Sequence, residues 1–162
     1  MQQQDAGLQA MMDLASGFWR AQALFTAVEL DLFSLLARKP ATAADICASL
    51  GLRPGAGDDL LDSLAALGLL RRDGGRYTNS PTAARYLDRT QESYVGGFFL
   101  FMRHTLYPPW SRLPELIRTG ERQEGRETFS EWYRDLDAAC RFMDAMDSVS
   151  APAALALAQR FD

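Results

Sequence analysis

The stretch from Thr42 to Leu87 constrains this chain more than any other. It reads as two short amphipathic helices, a tight hairpin and the start of another helix, the plan of a winged helix-turn-helix. Thr42 and Asp45 form a capping box. The threonine hydroxyl accepts from the backbone N–H three residues on, while the carboxylate reaches back to the Thr42 N–H. Ile46 and Leu50 share one helical face, and Gly51 stops the helix because glycine enters the left-handed C-cap conformation without strain. Leu60, Leu61, Leu64, Leu67 and Leu70 recur at helical spacing, with Gly68 near the end. Leu69–Arg72 and Arg76–Asn79 flank Asp73-Gly74-Gly75, whose glycines supply the positive φ of a hairpin turn. Ser80-Pro81 is an N-cap followed by proline in the first turn, so the chain re-enters helix there.

On either side of this section the pattern is helical. Gln9–Ser16 predicts a short helix with Met11, Met12 and Ala15 as its stripe, and Gly17 predicts a bend. Phe18 to Ala37 is apolar almost all round, with Phe18, Trp19, Leu24, Phe25, Val28, Leu32, Phe33 and Leu36. A helix of that kind is buried on every side. Two readings stand: a face from Met11 to Phe25 covered by a second subunit, or an ordinary central core helix. After a polar connection at Asp88-Arg89-Thr90, Ser93–Arg118 is a long helical region that Pro108-Pro109 must break, because proline lacks the N–H donor and clashes with the preceding turn. Glu121–Glu127 reads as a charged loop. Thr128 with Glu131 reads as a second capping box, ahead of Phe129, Trp132 and Tyr133. Asp135–Asp147 and the alanine-rich Ala151–Phe161 read as two final helices. Apart from the wing no strand pattern occurs. The expected fold is therefore mainly α: a winged helix-turn-helix with a small β-hairpin wing, plus extra N- and C-terminal helices.

With 162 residues, 48% of them apolar, the chain is expected to form one domain with its own core. No apolar run approaches the ~20 residues of a membrane span. Cys47 and Cys140 sit far apart on predicted helices, and the polar opening Met-Gln-Gln-Gln-Asp is no secretory signal. The thiols are thus expected to be buried and reduced, and the location cytoplasmic.

The net charge is -4, which argues against nucleic-acid and anionic-membrane partners. A winged-helix transcription regulator is the alternative that the fold permits, but the helix that would read DNA carries Asp58, Asp59 and Asp62 and no basic residue before Arg71. Three arginines on the wing, Arg71, Arg72 and Arg76, do not reverse that. No glycine-rich nucleotide loop, zinc spacing or nucleophile elbow is present. His104 is the only histidine, so no two-histidine metal site exists. It reads either as a base or as a polar residue at a helix edge. Glu92 and Glu115 have no evident partner, and Asp135, Asp137, Asp144 and Asp147 read as a solvated face. No metal site and no complete set of catalytic residues is expected.

Three stretches carry a resemblance. Gly17-Phe-Trp-Arg-Ala-Gln-Ala-Leu-Phe-Thr-Ala-Val-Glu-Leu-Asp-Leu-Phe-Ser-Leu-Leu-Ala, the winged section through Leu61-Asp-Ser-Leu-Ala-Ala-Leu-Gly-Leu-Leu, and Trp110-Ser-Arg-Leu-Pro-Glu-Leu-Ile-Arg-Thr-Gly with Phe142-Met-Asp-Ala-Met follow one another in order. Together they resemble the N-terminal domain of small-molecule S-adenosylmethionine-dependent O-methyltransferases of the plant caffeate and bacterial polyketide-tailoring type.

The resemblance implies a dimerisation and acceptor-binding domain over residues 1–162, with its winged-helix core at about 40–90. It also implies that the Rossmann-like domain, which binds S-adenosylmethionine and carries the family's histidine base, would follow Phe161-Asp162. A naturally truncated, standalone dimerisation module is the other alternative. The implied parent reaction is methyl transfer to an aromatic or polyketide-like acceptor in secondary metabolism, or a drifted decarboxylation or hydroxylation. The implied partners are a second copy of the chain and an aromatic small molecule, with no cofactor bound by this chain alone. The expected acceptor-pocket residues are Phe142, Met143, Met146, Phe101, His104 and Trp110; the plain alternative is that such aromatic and methionine stripes are core. The expected dimer surface comprises Met11, Met12, Phe18, Trp19 and Phe25.

Overall fold

A computed structural model of the chain describes residues 2–121 and 136–161. The second capping box at Thr128, with Phe129, Trp132, Tyr133 and Asp135, lies outside the described residues. The single domain expected from the sequence is laid out as two compact units, Met1–Ala83 and Ala84–Asp162.

In the first unit, α1 (Gln2–Ala15) and α2 (Gly17–Glu29) are followed by α3 (Leu32–Arg38), strand β1 (Ala41–Thr42), α4 (Ala43–Leu50), α5 (Ala56–Ala66) and the hairpin β2 (Leu70–Asp73) and β3 (Arg76–Asn79). Thr42 and Asp45 make the capping box that the sequence predicts, with both reciprocal bonds at 3.2 Å. Gly51 closes α4 at φ 64°. The wing is in register, with Asp73 opposite Arg76 and Leu70 opposite Asn79. Its second strand β3 also pairs with β1, so β3 is central in an antiparallel sheet of order β1-β3-β2. Two residues are too few for β1 to show an alternating pattern, which is why the sequence hides it.

The helix expected to run from Phe18 to Ala37 is two helices. Leu30 caps α2, and Asp31 turns left-handed at φ 57°, a conformation that aspartate tolerates better than most residues. Its carboxylate accepts the Ser34 hydroxyl at 2.7 Å, which holds the corner. The bend lets one apolar run cover two directions inside its own unit, so all-round apolarity does not mean all-round burial by a partner. Phe25, Val28, Leu32, Phe33 and Leu36 are buried with Ile46, Leu61, Leu64, Leu70 and Tyr77. Leu67 lies at the α5 C-cap and is more than a third exposed.

The second unit begins inside α6 (Pro81–Tyr86), whose start Ser80 caps by accepting the Ala83 N–H at 3.2 Å. It continues with α7 (Gly96–Phe101), a π-helical turn at Met102–Leu106, α8 (Tyr107–Trp110), α9 (Leu113–Thr119) and α10 (Leu136–Ala158). Pro108 and Pro109 sit in the first turn of α8 but do not break the helix: α7, the π turn and α8 follow without a gap, and the distortion falls in the turn before the prolines. They cannot donate to the carbonyls of His104 and Thr105, and the Tyr107 N–H reaches back to Met102 instead, which widens the turn. The two final helices expected from sequence are one helix of 23 residues that runs on through position 152. Among the described residues, no helix is long and apolar enough to cross a membrane.

Candidate functional site

The second unit forms an open-sided cavity of about 650 Å³. Three elements form it, and each has a local reason. The first is the segment before α7. Asp88 is 3% exposed, and its carboxylate accepts from the Thr90 N–H at 3.0 Å, the Thr90 hydroxyl at 2.8 Å and the Gln91 amide at 3.3 Å. A buried carboxylate needs such partners, and these fold the chain into a tight loop. The Ser93 hydroxyl and the Val95 N–H donate to the Arg85 and Tyr86 carbonyls at 2.7 and 2.9 Å, so the loop returns against α6. Arg89, Gln91, Glu92 and Tyr94 of this loop face the cavity.

The second element is α7. Gly96 and Gly97 leave room that other residues would fill. A Cβ at Gly96 would collide with the Tyr94 ring, and one at Gly97 would stand 3.4 Å from the Asp144 carbonyl oxygen of α10. The close approach buries Ala145 completely. Leu100, Phe101, His104 and Thr105 then line the cavity, the last two carried by the π turn.

The third element is one face of α10: Ala138, Arg141, Phe142, Ser148 and Ala151, with Asp144 and Asp147 along its edge. Phe142 meets Phe101 edge to face with ring centroids 5.6 Å apart, and Phe101 stacks on Phe98 at 6.3 Å. The result is an aromatic end with arginines and carboxylates near it. That suits a planar aromatic molecule whose substituents are hydrogen-bonded.

Of the residues predicted for an acceptor pocket, Phe101, His104 and Phe142 line this cavity together. Met143, Met146 and Trp110 are not among its lining residues; Met143 and Trp110 are exposed. Helical geometry explains the difference. Each residue turns the helix by about 100°, so Met143 and Met146 lie off the face that Ala138, Phe142, Ala145 and Ser148 present to α7. The sequence reading missed Tyr94, Arg141, Asp144, Asp147 and Ser148. The available signal was the row of small residues at Ala138, Ala145 and Ala151, which marks where two helices approach closely.

The first unit carries a different surface. On α1, Leu8, Met11 and Met12 follow helical spacing, and all three are exposed, as are Phe18 and Trp19 at the start of α2. Phe18 and Trp19 pack edge to face at 5.4 Å. Phe25, expected on the same surface, is 4% exposed and belongs to the core. The central-core reading thus holds for the second half of α2, where the corner at Asp31 folds α3 back. On the acidic helix α5, Asp62 accepts the Tyr77 hydroxyl at 2.6 Å and pairs with Arg72 at 3.3 Å. Burial first, and the bond to Asp62 second, push the Tyr77 phenol above its ordinary range. One wing arginine is therefore committed to holding the wing on α5.

The model of the O-methyltransferase dimerisation domain matches residues 12–89. The chain belongs to this family. The dimerisation domain is 44% identical over 154 residues to the tetracenomycin polyketide synthesis 8-O-methyltransferase of Streptomyces glaucescens, covering 94% of this chain and 45% of that protein. It is 35% identical to an N,N-dimethyltransferase of Streptomyces rimosus, covering 97% of this chain and 47% of that one. Human N-acetylserotonin methyltransferase, solved in complex with SAM, superposes with a TM-score of 0.81 at 29% identity, over 89% of this chain and 46% of that chain. The chain thus spans about half the length of the relatives it matches.

Proposed function

We propose that this chain is the dimerising, acceptor-binding half of an S-adenosylmethionine-dependent methyltransferase that modifies an aromatic, polyketide-like small molecule. The observation that carries the acceptor role is the cavity walled by Phe101 and Phe142 and edged with polar groups. One relative named above is a methyltransferase of polyketide synthesis and a solved neighbour is a methyltransferase in complex with SAM, which supports the reaction class. The methylated atom is oxygen in this reading; one relative of 35% identity is named as an N,N-dimethyltransferase, so nitrogen is the competing acceptor atom.

The described residues do not fit the methyl donor. Among the described residues the positive-φ glycines Gly51, Gly55, Gly68, Gly74, Gly75 and Gly120 lie at helix ends and the wing turn, and none opens a strand-loop-helix cradle. No residue here is assigned to S-adenosylmethionine, which belongs to the domain implied to follow. This half contributes to rate by holding the acceptor in one orientation and excluding water, which is where positioning lowers a transfer barrier.

The dimer role follows from the apolar row at Leu8, Met11 and Met12 continuing into Phe18 and Trp19. Covering such a row with a second copy removes it from water at about 25 cal/mol per Å². Two measurements test the proposal. Sedimentation should show a dimer that Met12→Glu with Trp19→Glu converts to monomer; an unchanged mass in the double variant removes the interface. Saturation-transfer NMR should show hydroxylated naphthalenes bound to the wild-type chain and released in Ala138→Phe, which fills the cavity. Undiminished binding in that variant places the acceptor elsewhere. The transcription-regulator reading gains nothing from the structure, since α5 presents carboxylates where a DNA reader needs cations.

A further inference from the structure

We propose that Arg141 selects acceptors that carry an acidic group, so that the preferred ligand is a hydroxylated aromatic with one carboxylate or similarly acidic substituent. This rests on the acceptor-cavity reading above. Arg141 lines the cavity immediately before Phe142, whose ring meets Phe101 at 5.6 Å. A planar ring lying against that aromatic pair would share the cavity with this guanidinium. Arginine presents a rigid fork of donors that matches a carboxylate bidentately.

Its charge is not neutralised within the described residues. Asp137 stands four residues before it and Asp144 three residues after it, yet neither forms an ion pair with Arg141. An arginine that precedes its acid on a helix is the poorer order for pairing, which leaves Asp144 a weak competitor. The other cavity arginine, Arg89, is already placed over the Tyr94 ring at 5.9 Å. Among the described residues that line the cavity, Arg141 is the arginine held by neither an ion pair nor a ring. Glu92, Asp144 and Asp147, also on the cavity, are acceptors for phenolic hydroxyls and oppose a second anionic group. The combination favours one acidic substituent and several O–H donors.

The test is calorimetric titration of the whole chain with three probes: a hydroxynaphthoic acid bearing its two groups on different rings, its methyl ester, and the matching aminomethyl naphthol. The acid should bind wild type about tenfold tighter than the ester, the worth of one charge-assisted pair at a partly exposed site. Arg141→Gln should remove that preference and Arg141→Lys should retain part of it. Arg118→Gln, on α9 and away from the cavity, should leave it intact. Equal binding of acid and ester to wild type, a preference that survives in Arg141→Gln, or tighter binding of the amine than of the acid overturns the assignment while leaving the cavity reading in place. Binding of none of the three removes both.

Discussion

The two units of this chain are stabilised in different ways. Among the described residues, every buried apolar side chain except Leu87 and Ala145 belongs to Met1–Ala83. There the core interdigitates from five helices and a small sheet, and the connections are capped: Thr42 with Asp45, Asp31 with Ser34, Tyr77 with Asp62. In Ala84–Asp162 the aromatic residues Phe98, Phe99, Phe101 and Phe142 are only half-buried, and the fold relies on a close glycine-to-helix contact and on one buried carboxylate. A fully packed unit resists change, whereas a unit that leaves its aromatic rings partly uncovered can accept a ligand among them. The contrast teaches that in this chain the tightly packed core and the cavity proposed for the acceptor are built by separate stretches of sequence.

Four substitutions can break or sharpen this contrast. The largest effect is expected for Leu64→Ala. Its side chain is fully buried, so truncation should cost about 2–5 kcal/mol in urea unfolding; less than about 1 kcal/mol would mean that the first unit is not the tight one. Asp88→Ala strips three accepted hydrogen bonds from the loop that walls the cavity. It should cost about 1.5–3 kcal/mol and weaken naphthol binding as well. Loss of stability with unchanged binding would detach the loop from the site.

Thr42→Ala removes the first-unit cap and should cost about 1 kcal/mol. Hydrogen bonds from the Thr42 hydroxyl and N–H hold the Asp45 carboxyl below its ordinary value of 3.8. A carboxyl of lowered pKa contributes stability that is present above its unfolded value and is lost as pH falls through the folded one. The gap between wild type and Thr42→Ala should therefore be full at pH 7 and narrow below about pH 4; a gap that widens in acid contradicts the cap. Trp110→Ala should be the smallest change. The ring is 67% exposed and off the cavity, so stability should move by no more than about 0.5 kcal/mol and naphthol affinity not at all. A clear loss of affinity would return Trp110 to the acceptor site.

The capping box, the Gly51 stop, the wing turn and the proline-started α6 were all legible in the sequence. Each depends on residues within a few positions of one another. The same is true of the α5 face at Leu61 and Leu64. Other features depend on where distant segments meet. Nothing between Phe18 and Ala37 distinguished one helix from two, because a left-handed aspartate looks like any other aspartate in a helical pattern. The β1 pairing needed β3 beside it. Phe101, His104 and Phe142 line the cavity, while Met143, Met146 and Trp110, drawn from the same aromatic and methionine pattern, do not. Asp144 and Asp147 are exposed, as a solvated face should be, and only the approach of α7 shows that they also border the cavity, with Arg141 beside them.

By itself, then, the sequence determined the local elements and the family, because caps, turns and helical spacing are short-range physics and the order of matching stretches is carried in the chain. Only the tertiary structure decided which face of α10 borders the cavity, which half of α2 is buried, and that the loop after α6 is pinned by Asp88. Those outcomes depend on which helices approach closely, and here Gly97 brings the α7 backbone against Asp144 and Ser148 of α10 while Gly96 makes room for the Tyr94 ring.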